Sequence, residues 1–278
     1  MSSYRQYNST HSASPFMEKL KMYKHIFDTH THYDDFRYSL NLDGILRQQQ
    51  KNGVEYIINS SSSLPTAKNA VAIAAKYDFI YSTVGIYPLE SKGLPATWLK
   101  QIEELAKEPK VVAIGEIGLD YHDIISDRAM QRKVFCDQLV LAQKLKLPIQ
   151  IHDREADEDT LAILREYRPE KIMLHRYSAL PRFAEAFLDL GAYFSFCCSI
   201  TYPEWSYLKG IVRDMPIEKL VLETDSPFLA PYHMSGATSN SEMISFVAEE
   251  IATVRKEYSA QDIIDIANLN SKKFFDIV

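Results

Sequence analysis

The chain has 278 residues, 46% of them hydrophobic, with only 9 Gly and 12 Pro, which suits one large packed domain and excludes disordered or fibrous classes. Acidic residues number 37 against 31 basic, a net charge of -6, so the surface as a whole does not draw in a polyanion; a passive DNA-coating role is excluded and any affinity for nucleic acid must be local. Cys136 and the adjacent Cys197 and Cys198 make no Cys-x-x-Cys spacing, there is no signal-type apolar run near the start and no stretch long enough to span a bilayer, so the expectation is a cytoplasmic protein without a membrane partner.

In chain order, residues 1–21 read as an extension rich in Ser, Tyr and Asn, with Met22 an alternative start, and residues 22–278 read as a single domain. The first strand is expected over 25–31 and the second over 54–59, followed by a helix at 66–77. Strand 79–85, helix 97–107, strand 111–117, helix 127–146, strand 148–152, helix 159–167, strand 171–175, helix 181–190 and strand 192–197 continue the alternation. The last strand is expected at 219–223, and helices at 241–257 and 260–275 complete an outer ring. Short β-branched runs between amphipathic helical patterns signal repeated βα units. Gly53, Gly191, Pro109, Pro148 and Pro169 punctuate the returns from helix to strand. Eight strands without a Gly-rich nucleotide turn favour a closed (β/α)8 TIM barrel over an open doubly wound sheet.

Polar residues gather where these strands end. His30 and His32, two residues apart at the end of the first strand, are expected on one face and within reach of one metal ion. Glu116 closes the fourth strand between Gly115 and Gly118, His152 the fifth, His175 the sixth, and Asp225 follows the eighth. All six fall at the C-terminal mouth of inferred strands, the face where barrel enzymes place catalytic groups. Singly, each has an ordinary structural explanation; six together point to two divalent ions about 4 Å apart that clamp a phosphoryl group and activate water. The mixture of imidazole and carboxylate suits zinc, manganese or iron by ligand softness, whereas magnesium prefers more oxygen. A carboxylate such as Glu116 can bridge two cations, and Asp225 is placed to take a proton. Glu223, two residues before Asp225, is expected behind the ligands. Arg154, two residues past His152, is a candidate to pair with a phosphate oxygen, against the equal alternative of a surface ion pair. His11, His25, His122 and His233 receive no ligand role.

The motifs FDTHTH (27–32), GEIGLDY (115–121), LPIQIHDREA (147–156) and LETDSPFLAP (222–231), in that order, resemble the TatD family of metal-dependent deoxyribonucleases in the amidohydrolase-like superfamily. The likeness spans roughly residues 26–278. It implies one metal on His30, His32 and Asp225, a second on His152 and His175, and Glu116 on both. It also implies magnesium or manganese dependence and hydrolysis of DNA, with 3′-5′ attack on single strands or DNA ends, by a monomer or weak oligomer. Three departures bear on substrate contacts. Gly85-Ile86-Tyr87-Pro88 stands where the family has Gly-x-His-Pro, so any role of that histidine in binding substrate is either lost or taken by Tyr87. Arg176-Tyr177 replaces Cys-Phe after His175, and residues 232–240 replace a basic loop. These departures keep open an alternative substrate, a small phosphoester, ester or lactone; a non-catalytic protein with a structural metal is the third reading.

Overall fold

The computed structural model describes residues 22–122 and 127–278; the expected extension over residues 1–21, with His11, lies outside the described residues. Eight parallel strands run in sequence order: β1 (Ile26–Thr31), β2 (Val54–Asn59), β3 (Ile80–Val84), β4 (Val111–Asp120), β5 (Ile149–Arg154), β6 (Ile172–Leu174), β7 (Tyr193–Phe196) and β8 (Leu220–Leu222). Helices α1 (Leu42–Lys51), α2 (Leu64–Lys76), α3 (Trp98–Leu105), α4 (Arg128–Leu145), α5 (Asp157–Tyr167), α6 (Pro181–Asp189), α7 (Tyr207–Asp214), α8 (Ile244–Val254) and α9 (Ala260–Phe275) alternate with and follow them. This is a (β/α)8 TIM barrel. The expected strands agree within a few residues, β4 running on to Asp120. The sequence periodicity singles out neither α1, whose interior holds Gly44 and three consecutive glutamines, nor α7, which is only 8 residues long and contains Gly210.

Period-two alternation separates the apolar residues into two layers. Ile26, Ile57, Ile172, Leu174, Phe194, Phe196, Leu220 and Leu222 join the cluster that includes the helix residues Leu46, Ala67, Ile102 and Phe135. Their strand neighbours Phe27, Ile58, Met173, Tyr193 and Val221 form a second cluster, sealed by Phe274 and Phe275 of α9. That second cluster fills the barrel from below. Above it, at positions of the same parity, stand Thr29, Gln150 and Ser195, and at the mouth comes His152. The barrel interior thus grades from apolar to polar toward its C-terminal face, and no helix among the described residues is long and apolar enough to cross a membrane.

Closure is by a seam. Between β8 and β1 there is one bridge, Thr31 to Ser226, with Asp225 N–H donating to His30 O at 3.0 Å and His32 N–H donating to Ser226 O. Asp28 reinforces it, accepting from Thr224 N at 3.0 Å and from the Thr224 hydroxyl at 2.6 Å. Register irregularities in β1 between Asp28 and Thr31 and in β4 between Ile114 and Ile117 fall where His30 and Glu116 stand. Such irregularities at barrel rims re-aim side chains.

Gly118 shows why the GEIGLDY run needs its second glycine. Its φ is +135°, and a Cβ there would lie 2.0 Å from His152 O, so β4 approaches β5 closer than any side chain permits. Gly118→Ala is expected to lower stability by more than about 2 kcal/mol, seen as an earlier urea midpoint, and to weaken metal binding because His152 is the residue pushed aside.

Candidate metal centre

Each of the four imidazoles at the mouth has its outward nitrogen bonded to an acceptor. Gln150 donates from Nε2 to Thr29 O at 2.6 Å and accepts the Ser60 hydroxyl at Oε1 at 2.8 Å, which fixes Oε1 as the acceptor for His30 Nδ1 at 2.9 Å. His32 Nδ1 donates to the Ser60 carbonyl at 3.0 Å. His175 Nδ1 donates to Glu223 Oε1 at 3.1 Å. His152 Nε2 donates to Asp120 Oδ2 at 3.1 Å, an oxygen that also accepts from the Tyr87 hydroxyl at 2.8 Å. The tautomers follow: His30, His32 and His175 present Nε2, and His152 presents Nδ1, to the centre of the mouth.

Those inward nitrogens crowd one another. His30 Nε2 lies 3.1 Å from His32 Nε2, and His152 Nδ1 lies 3.2 Å from His175 Nε2. With the outer N–H groups already used, each pair sets lone pair against lone pair unless a positive charge lies between them. Two nitrogens each about 2.1 Å from one cation at roughly a right angle would show this separation. The donor chemistry therefore fits divalent ions.

Glu116 stands between the two pairs. Its Oε1 is 2.9 Å from both His152 Nδ1 and His175 Nε2, while Oε2 faces His30 Nε2 at 3.6 Å and His32 Nε2 at 3.9 Å. Asp225 completes the latter side, with Oδ1 at 3.8 Å and 3.5 Å from the same two nitrogens. Three compact groups that could hold an ion arise: His30, His32 and Glu116; Glu116, His152 and His175; and His30, His175 and Asp225, which straddles the halves. The straddling group reflects the stacking of the His30 and His175 rings at 3.9 Å.

Electrostatics match this crowding. Burial alone raises carboxyl pKa values, yet the charge of His175 and hydrogen bonds from His152 and His175 hold Glu116 well below its ordinary value. Burial likewise opposes the ionised form of Asp225, and His32, His175, His30 and Arg176 together override it downward. His32 is pushed up to about 9: burial lowers it, but its bond to Asp225 and the charge of Glu116 win. His175 and His152 are also raised against burial by their carboxylate partners, whereas burial and the neighbouring His175 leave His30 well below its ordinary value.

A cleft of about 790 Å³ opens above this centre. Its walls include Tyr87 and two cations, Arg176 and Arg37. Arg154 is not among the lining residues; it ends β5 opposite Asp120 in the ladder. Arg176, which the residue pattern alone did not single out, follows β6 with φ 43°. Its neighbour Tyr177 donates N–H to Ser195 O at 2.8 Å and stacks on Phe194 at 4.0 Å, so Tyr177 anchors the turn in the core and Arg176 reaches the cleft. Among the described residues its guanidinium makes no hydrogen bond, and it forms a 3.7 Å ion pair with Asp225 Oδ2. Gln150 and Asp120 were also not foreseen as supports. Glu223 is fully buried behind His175, with Oε2 unpartnered. His25, His122 and His233 stand apart, facing Asp265, Glu155 and Phe246.

A (β/α)8 barrel with four imidazoles and two carboxylates converging at its C-terminal mouth defines a metal-dependent hydrolase. Residues 27–276 match the family described as TatD related DNase. An uncharacterised metal-dependent hydrolase of Bacillus subtilis strain 168, YabD, is 34% identical over 254 residues, 91% of this chain and 99% of its own. The 3′-5′ ssDNA/RNA exonuclease TatD of Klebsiella pneumoniae strain 342 is 30% identical over 210 residues, 74% of this chain and 80% of its own. The crystal structure of YJJV, a TatD homolog from Escherichia coli K12, superimposes with a TM-score of 0.86 at 25% identity, covering 91% of this chain and 99% of that one. The chain belongs to the TatD family of metal-dependent hydrolases.

Two outcomes follow for metal loading. Because His32, His152 and His175 hold protons above their ordinary range, a cation must displace them; affinity should climb as pH rises from 6 toward about 9. Calorimetry in buffers of different ionisation heat would register the released protons. Gln150→Leu removes the acceptor that sets the His30 tautomer, and a competition titration should show about 10- to 100-fold weaker metal binding.

Proposed function

We propose that the protein is a metal-dependent phosphodiesterase that cleaves DNA, acting as a 3′-5′ exonuclease on single strands or DNA ends. The observation that carries this reading is the pair of inward-facing imidazole couples on either side of Glu116, with one carboxylate oxygen turned to each. His30, His32 and Asp225 would hold one ion, His152 and His175 the other, and Glu116 both. Manganese and zinc suit the imidazole-rich set by softness, with magnesium the competing ion. Bound there, a cation pair offsets phosphate charge and makes water a nucleophile near neutral pH. The exonuclease name carried by the Klebsiella relative supports the choice of substrate.

The chain's own groups supply the rest. Asp225 is buried and aimed at the centre, which places it to take the proton of the attacking water. Arg176, whose guanidinium lines the cleft 3.7 Å from Asp225 Oδ2, is placed to donate to a non-bridging phosphate oxygen in the role the sequence pattern gave Arg154. Tyr87 acts on the substrate side of His152 while its hydroxyl holds Asp120, so it both lines the cleft and steadies that ligand.

A small phosphoester, ester or lactone is the competing substrate, favoured by the presence of Tyr87 and Arg176 in the cleft wall. With manganese and an end-labelled single-stranded oligonucleotide, wild type should release nucleotides from the 3′ end. Glu116→Gln and Asp225→Asn should each lose roughly 100-fold or more in kcat. Faster turnover of a small ester than of the oligonucleotide would decide for the alternative.

A further inference from the structure

The cleft contains a built planar surface beside His32 that the chemistry at the metal centre does not use. Arg37 is locked by a two-point fork on Asp35, Nε to Oδ1 at 2.8 Å and Nη2 to Oδ2 at 3.0 Å. Asp35 also accepts Arg37 N at 2.9 Å, so backbone and guanidinium are tied to one carboxylate. The guanidinium lies 4.5 Å from the centroid of the Phe228 ring. Phe228 in turn meets His32 edge-on, with centroids 6.1 Å apart at 70°. The fork neutralises Asp35, which would otherwise repel a phosphate so near the ions, and it fixes the plane of Arg37.

Phe228, in the cleft wall, is nevertheless 45% exposed, and Phe36, whose ring centroid lies 5.7 Å from the Arg37 guanidinium, is 78% exposed. Large aromatic surface left open in the wall of a polar, carboxylate-lined cleft needs a partner that is itself flat and apolar on its faces. A nucleobase is such a group, stacks on aromatic and guanidinium planes alike, and does so with little regard to sequence. Resting on the nuclease reading above, we infer that the Arg37–Phe228 stack is a base platform: the nucleobase adjoining the scissile phosphate lies on it while the phosphate meets the centre next to His32. A base engaged on a flat wall must have a face free of the helical stack, so the platform selects single strands and DNA ends over duplex interiors.

The test separates the platform from the chemistry. The probe is 2-aminopurine deoxyriboside 5′-monophosphate with magnesium-loaded protein; it has no diester to cleave, and its fluorescence falls on stacking. Wild type and Phe228→Tyr should quench it saturably. Phe228→Leu, which keeps apolar bulk but no ring, should bind at least about tenfold more weakly. In parallel, Phe228→Leu should lose kcat/KM on an ordinary oligonucleotide but not on one whose terminal residue is abasic. Quenching in wild type without hydrolysis of any phosphodiester would support the platform while removing the nuclease reading. Equal quenching by Phe228→Leu and wild type, no quenching by wild type, or an equal loss on the abasic substrate would overturn it.

Discussion

The centre is governed by where the outward imidazole nitrogens point. Gln150, the Ser60 carbonyl, Glu223 and Asp120 each hold one ring N–H, and none of these acceptors is among the six side chains that converge on the centre. They come from β5, the end of β2, the residue after β8 and the end of β4. The barrel wall thus dictates proton positions in its lumen, and the bare nitrogens facing one another are a consequence of the scaffold rather than of local sequence. Leaving those buried lone pairs opposed would be costly without a positive charge. Protons partly fill that role, as the raised His32, His152 and His175 show.

The acidic character of the chain and an anionic substrate are reconciled at this scale. Several carboxylates near the centre face the imidazoles, like Glu116 and Asp225, or are already bonded, like Asp120 to His152 and Tyr87, and Asp35 to Arg37. Arg176 adds a cation beside Asp225 in the cleft wall. Local charge at the mouth is therefore set by a few short contacts, and the net charge of -6 bears chiefly on long-range approach.

Much of this was legible in the amino-acid order. Runs such as Val54–Asn59 stand out as short and apolar because one parity of the strand packs on the helices and the other fills the barrel. His30, His32, Glu116, His152, His175 and Asp225 were all visible as polar endings of apolar runs, and the structure brings them together. What escaped was of two kinds. Gln150 is a neutral amide inside an apolar strand, and nothing local marks it as the group that orients a histidine 120 positions away. Arg154 and Arg176 show the limit of period-two extrapolation: counting two past His152 carries Arg154 over the rim, whereas Arg176 sits at φ 43° just after β6, where no strand rule applies. Helix α7 escaped because a short segment with a central glycine carries too few turns to show a period.

The seam between the first and last strands has a mechanical meaning. Asp28 and Thr224 meet across 196 positions of chain, and among the described residues the one backbone bridge there is Thr31 to Ser226. Among the strand-to-strand pairings this one closes the longest loop and has the fewest contacts around the hoop, so it should assemble late and breathe first. His30 and His32 lie on one lip and Asp225 on the other. Whatever those three side chains grip acts as a clasp on the ring, so occupancy of the mouth and rigidity of the whole hoop rise and fall together.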